Sequence, residues 1–296
     1  MIQSIKNHLR LWIQLGFTAL SNGYIAGFIK GKIYTGPSKQ LCLPGLNCYS
    51  CPGALGSCPI GSLQAVLGSR DYKMSYYVAG FLIAVGALIG RLVCGFLCPF
   101  GLVQDLLHKI PFPIKRKNLP GDKALRYLKY VILVVFVIWL PLFAVNVVGQ
   151  GSPWFCKWIC PSGTLLGGIP LVSANPGLQE SIGFLFSWKI FLLIMILLLS
   201  VISYRPFCKY VCPLGAIYGL CNPWSLYHYE VDAAKCTRCN VCKHTCQMDI
   251  DIYQKPNSPE CIRCGECKKA CPHHAISSGF AVREKQGKTA GQDQTF

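Results

Sequence analysis

The sequence predicts an α-helical membrane protein: about four transmembrane helices with pseudo-repeated C-P-x-G elements, followed by a C-terminal cytoplasmic, cysteine-rich α+β domain. Three observations lead there. Only 14% of the 296 residues are charged while 52% are hydrophobic, against roughly 25% charged in an average soluble domain. Nineteen residues are cysteine, and most fall in C-x2-C or C-x3-C-P units. Four apolar stretches approach the ~20 residues that a helix needs to cross the hydrocarbon core. Together these exclude an ordinary cytosolic enzyme, a disordered chain and a small disulfide scaffold. The net charge of +17 sits on an apolar chain and is explained by topology, so it does not point to nucleic acid.

The spans are read at 9–29, 76–94, 130–148 and 187–204, the first as a retained anchor because no A-x-A cleavage site follows it. Orientation follows the Lys/Arg bias of the loops. Between spans two and three lie Lys109, Lys115, Arg116, Lys117, Lys123, Arg126 and Lys129, whereas Lys157 alone lies between three and four. Both termini are therefore expected in the cytoplasm, although Lys30, Lys32, Lys39, Arg70 and Lys73 in the first loop run against that rule. Arg91 and Lys189, near span ends, are expected to snorkel to the interface. Domain limits follow: a membrane part over 1–221, a soluble domain over 222–280 and a disordered polar tail over 281–296.

The soluble part carries Cys236, Cys239, Cys242 and Cys246, then Cys261, Cys264, Cys267 and Cys271. Both runs read C-x2-C-x2-C-x3-C, the bacterial ferredoxin spacing, in which the fourth cysteine ligates the other cluster. A dicluster bacterial-type ferredoxin domain follows. One [4Fe-4S] cluster takes Cys236, Cys239, Cys242 and Cys271; the other takes Cys261, Cys264, Cys267 and Cys246. Gln247 stands where a proline usually follows the fourth cysteine, a packing difference and not a ligand difference.

In the membrane part, Cys58, Cys98, Cys160 and Cys212 each begin C-P-x-G-x-[LVI]. The last three have a partner four residues earlier, Cys94, Cys156 and Cys208. Proline breaks the helix and glycine frees the turn, so two thiolates can converge. On the predicted topology Cys94, Cys98, Cys208 and Cys212 form an inner group, and Cys51, Cys58, Cys156 and Cys160 an outer one, with Cys48 or Cys42 as substitutes for Cys51. Each has the four thiolates of one cubane, giving one or two clusters beyond the tail pair. Disulfides among Cys42, Cys48, Cys51, Cys58, Cys156 and Cys160 are the alternative outside the membrane. Cys221 has no evident partner.

RLVCGFLCPFGLVQDL, FCKYVCPLGAIYGLCN and the two ferredoxin runs resemble the NapH/NosR/YccM-like membrane polyferredoxins. That resemblance implies a multi-span protein passing electrons between a cytoplasmic or quinone pool and an extracytoplasmic acceptor. It carries Cys94, Cys98, Cys208 and Cys212 as the family's paired positions and the eight tail cysteines as ligands. The sequence departs from it by adding WFCKWICPSG and the first-loop cysteines.

No C-x-x-C-H, G-x-G-x-x-G or P-loop is present, so covalent haem and nucleotides are not implied. The expected function is transmembrane electron transfer in a bacterial or archaeal cytoplasmic membrane, as a subunit of a larger complex and not a stand-alone catalyst. The expected partners are a cytoplasmic ferredoxin-like donor and an extracytoplasmic redox protein such as a flavoprotein. Alternatives are a quinone-linked subunit with outer disulfides and a thiol-reductant exporter.

Overall fold

A computed structural model describes residues 2–69, 72–113, 115–144, 151–180 and 182–280, the side chains of 2–8 and 72–75 excepted. The tail over 281–296 and the cations of Arg70 and Lys73 lie outside what it describes.

Two helices are long and apolar enough to cross a membrane, α7 (Asp122–Phe143) and α11 (Phe184–Ile202). Only 28% and 17% of their apolar windows are buried in protein. The helix α7 instead exposes Val131, Val134, Ile138 and Phe143, and α11 exposes Phe191, Ile194 and Leu198. A soluble core helix would bury such faces. Exposed here, they need a lipid solvent and mark a membrane protein.

The other two predicted spans are interrupted. The helix α1 (Ile2–Ser21) ends where Asn22 Nδ2 donates to the Thr18 carbonyl at 3.1 Å, and α2 (Ile25–Lys30) is a separate piece. Gly27 of α2 sits so close to the Pro52 carbonyl that a Cβ would come within 2.2 Å of it, clamping the first loop. The helix α1 is also amphipathic: the Arg10 and Gln14 side chains both donate to the Gly95 carbonyl at 3.0 Å. The helix α4 (Tyr72–Ile89) stops at Gly90, whose φ of +52° favours glycine.

Around these elements a common unit recurs: a helix, a short helix ending at the first cysteine's turn, then a proline-started helix. The units are α4 with α5 (Leu92–Phe96) and α6 (Pro99–Lys109); α7 with α8 (Trp154–Trp158) and α9 (161–174); and α11 with α12 (Pro206–Tyr210) and α13 (Pro213–Cys221). The helix α3 (Pro59–Ser69) follows Cys58 in the same way, and α10 (Pro176–Glu180) links α9 to α11. The tail has two antiparallel strands, β1 (Tyr227–Val231) and β2 (Ile276–Phe280), in the register Tyr227↔Phe280 to Val231↔Ile276. Two short helices, α14 (Val241–Thr245) and α15 (Glu266–Ala270), lie between them in sequence.

Candidate metal centres

In the tail, the two cysteine runs adopt the same backbone. Positive φ recurs at Arg238, Asn240 and Asp249 and at the matching Arg263, Gly265 and His274. Such left-handed residues tighten a loop so that successive thiols face one point. Cys236, Cys239, Cys242 and Cys271 line one cavity enclosing about 450 Å³. Cys246, Cys261, Cys264 and Cys267 line a second of about 350 Å³. These are the two sets of four read from the spacing, and the exchange of Cys246 and Cys271 puts one cysteine beside α14 and α15 into each cavity.

Their surroundings differ. Cys239 is exposed, and backbone N–H of Val241 lowers its thiol from the ordinary range. Burial pushes the Cys261 and Cys267 thiols up to about 12. This second cavity is docked onto the membrane part. Arg263, 1% exposed, donates to the carbonyls of Ile89 at 3.0 Å and Asn222 at 2.8 Å. A Cβ on Gly95 would lie 2.4 Å from the Ile262 carbonyl, so the loop holding Cys261 and Cys264 rests on the Cys94–Cys98 turn.

In the membrane part, Cys98, Cys160 and Cys212 each cap a proline-started helix, the sulfur accepting from the N–H of Gly101, Gly163 and Gly215 at 3.4 Å. Proline at the first helical position has no N–H to lose, and the freed amide turns to the thiol. Electrostatic neighbours bring together Cys94, Cys98, Cys208 and Cys212, the predicted inner group. Because it adjoins the tail, it is the proximal site. Gln104 fixes it: Nε2 donates to Cys208 Sγ at 3.1 Å and Oε1 accepts the Phe207 N–H at 3.2 Å.

The distal site repeats this frame. Gln64 donates to Cys156 Sγ at 3.3 Å and accepts the Phe155 N–H at 2.9 Å. Cys58, Cys156 and Cys160 are mutual electrostatic neighbours, and the thiol beside all three is Cys48. The structure thus brings Cys48, the stated alternative, and not Cys51 beside the other three. The Cys51 Sγ turns away and donates to Asn22 Oδ1 at 3.4 Å, whereas Cys48 Sγ lies against Gly163 and Gly167. Cys42 is bridged to Ser57 and Cys221 packs on Gly86; neither joins a group of four. All nineteen cysteines are unpaired. Among the described residues no three Cys, His, Asp or Glu side chains close on a single metal ion.

One sequence reading is overturned. Arg91 does not snorkel: it is fully buried, donates to the Cys208 carbonyl at 3.1 Å and pairs with Glu260 at 3.0 Å. Lys189 donates to the Cys156 carbonyl at 3.3 Å. The two groups are joined through the first loop. A Cβ on Gly45 would lie 2.7 Å from the Leu97 carbonyl and 3.2 Å from Cys98 Cα, and the carbonyl of the next residue, Leu46, accepts from Ser162 Oγ beside Cys160 at 3.4 Å. Tyr218, fully buried, has Cys94, Cys98, Cys58 and Cys42 as electrostatic neighbours.

Gln64 and Gln104 were missed in the sequence, although both stand six residues after a C-P-x-G cysteine. Extending the repeat by one residue, to C-P-x-G-x-[LV]-Q, would have found them.

The 4Fe-4S binding domain family Fer4_5 matches residues 73–118, 131–177 and 184–226, the three helix–turn–helix units. The WFCKWICPSG segment is thus a third copy of the unit and not an addition to it. A further 4Fe-4S binding domain, Fer4, matches residues 257–277. The uncharacterized protein MJ0750 of Methanocaldococcus jannaschii is 29% identical over 215 residues, 69% of this chain and 78% of its own. The ferredoxin-type protein NapH of Escherichia coli is 27% identical over 193 residues, 64% of this chain and 59% of NapH. The regulatory protein NosR of Stutzerimonas stutzeri is 25% identical over 174 residues, 57% of this chain but 21% of NosR. No solved structure matches. The chain thus carries 4Fe-4S binding domains and is related to the ferredoxin-type proteins NapH and MauN and to NosR.

Proposed function

We propose that the chain is a transmembrane electron conduit with four cluster sites in series. The order is the exposed tail site at Cys239, the buried tail site, the proximal site and the distal site. The cysteine sets are the two tail sets of four, then Cys94, Cys98, Cys208 and Cys212, and last Cys48, Cys58, Cys156 and Cys160. The fit rests on four thiols at each place, glycine N–H aimed at sulfur in the membrane sites, and two tail cavities each lined by four of the cysteines. When bound, [4Fe-4S] clusters supply reversible one-electron exchange; the chain supplies spacing and insulation.

The observation that carries the reading is the first loop at Gly45 and Leu46, which packs against the proximal Cys98 and accepts from Ser162 Oγ beside the distal Cys160. A quinone-linked subunit needs no such second site beyond the proximal one. The tail lies on the cytoplasmic side in this reading, by the Lys/Arg bias of the 104–129 loop. A reduced ferredoxin-like donor meets the exposed Cys239 site, and an extracytoplasmic redox protein accepts at the distal end.

Vesicles enclosing ferricyanide, with the full-length protein inserted and dithionite outside, test this. Protein-dependent bleaching that is lost in Cys212→Ser and Cys160→Ser is expected. Iron-replete protein that bleaches no faster than empty vesicles would overturn it.

A further inference from the structure

The two membrane sites share a second layer of symmetry, made of cations. At the proximal site Arg205 Nη1 donates to the Cys94 carbonyl and Arg91 Nη2 to the Cys208 carbonyl. At the distal site Lys39 Nζ donates to the Ala54 carbonyl at 2.9 Å and Lys189 Nζ to the Cys156 carbonyl at 3.3 Å. All four acceptors are equivalent, each standing four residues before the cysteine of a C-P-x-G element. The lysines come from quite different places in the chain than the arginines, so this is not a relic of the repeat. It is the same position filled twice by positive charge.

The cations differ in what balances them. Arg205 pairs with Asp105 and Arg91 with Glu260. Among the described residues no carboxylate forms an ion pair with Lys39 or Lys189. Lys39 is only 5% exposed, and its other close neighbour is the Tyr49 ring, 4.9 Å away. Both lysines lie within electrostatic range of cysteine thiols. Lys39 faces Cys48 and Cys51, and Lys189 faces Cys48, Cys156 and Cys160. A buried ammonium without a partner anion is costly. Neutral thiols or disulfides would not offset it. Four thiolates on an iron–sulfide core leave a net negative charge and do.

We propose that Lys39 and Lys189 are the counter-cations of the distal site, positioning residues that balance a four-thiolate cluster and set its potential through the Ala54 and Cys156 carbonyls. This rests on the reading of Cys48, Cys58, Cys156 and Cys160 as a cluster site. Removing one positive charge beside a site disfavours the reduced, more negative state, so the potential of that site must fall.

The test uses full-length, anaerobically purified protein, with iron quantified and each centre titrated by EPR. Cys160→Ser serves first. Loss of about four irons supports the cluster reading, and unchanged iron overturns that reading. Given that loss, Lys39→Met and Lys189→Met are each expected to keep the tail and proximal signals and move one centre to lower potential, with Lys→Arg restoring it. Distal iron that is lost in Lys→Met but regained in Lys→Arg supports the proposal equally. An unmoved potential with full iron in both Met variants, or failure of arginine to restore what methionine removes, overturns the proposal while leaving the cluster reading intact.

Discussion

Gln104 holds Cys208 by two adjacent atoms of the chain, donating to its sulfur at 3.1 Å while accepting the N–H of Phe207 at 3.2 Å. Gln64 does the same for Cys156 and Phe155. A single amide therefore sets both where the sulfur stands and how much electron density it can hold.

An N–H donor to sulfur favours the reduced cluster. Gln104→Leu is expected to lower the proximal midpoint potential by on the order of tens of millivolts, 59 mV being tenfold in a one-electron equilibrium. Gln64→Leu should lower the distal one. Redox titration followed by EPR reads both; potentials that stay put in iron-replete variants would rule the donors out as tuning groups.

Cys48 and Cys51 are three positions apart in the chain but differ in role. Cys48→Ser should remove about four irons and one EPR signal, whereas Cys51→Ser should leave iron content at the wild-type value. The reverse result would return the fourth position to Cys51.

Asp105 ties α6 to two other elements, accepting from Arg205 at 2.6 and 2.5 Å, from Arg10, and from Gln14 at 3.3 Å. Burial raises its carboxyl, but Arg205 and Arg10 outweigh that and hold it below the ordinary range. A depressed folded value stabilises the fold above the unfolded carboxylate pKa of about 3.9 and is lost as pH falls through the folded value. Thermal unfolding in detergent should therefore be flat in this contribution from neutral pH to about 5 and weaken below. Asp105→Asn should remove it at every pH and leave Arg205 buried without its carboxylate, at a cost of about 3–5 kcal/mol. Equal melting temperatures for variant and wild type at pH 7 would contradict this.

Gly95 lets the tail touch the proximal turn. Gly95→Ala would place a methyl 2.4 Å from the Ile262 carbonyl, backbone that cannot step aside. Faster proteolysis within 222–280 and slower reduction of the proximal centre by dithionite, followed by stopped-flow absorbance, are expected. Wild-type values on both measures would mean that the tail docks elsewhere.

Much of the candidate site was legible because cluster ligands obey local spacing. The two tail sets follow from C-x2-C-x2-C-x3-C alone, and the structure lines its two cavities with those same cysteines. Spans α7 and α11 were legible because lipid demands continuous apolar sequence. The first and second spans were less so: Gly90 and the Asn22–Thr18 bond break the helix at points that hydropathy does not register.

What the sequence by itself determined is the chemistry and the ligand types: thiols in fours, proline and glycine to turn them, and a membrane around them. Only the tertiary structure decided which thiol lies beside Cys58, Cys156 and Cys160, where Arg91 and Lys189 point, and that the first loop at Gly45 and Leu46 touches both groups. Those choices depend on residues remote in the chain, such as Gln64 on Cys156 and Lys39 on Ala54. Nothing in local spacing encodes which carbonyl or sulfur a distant donor will meet; only packing the helices together does.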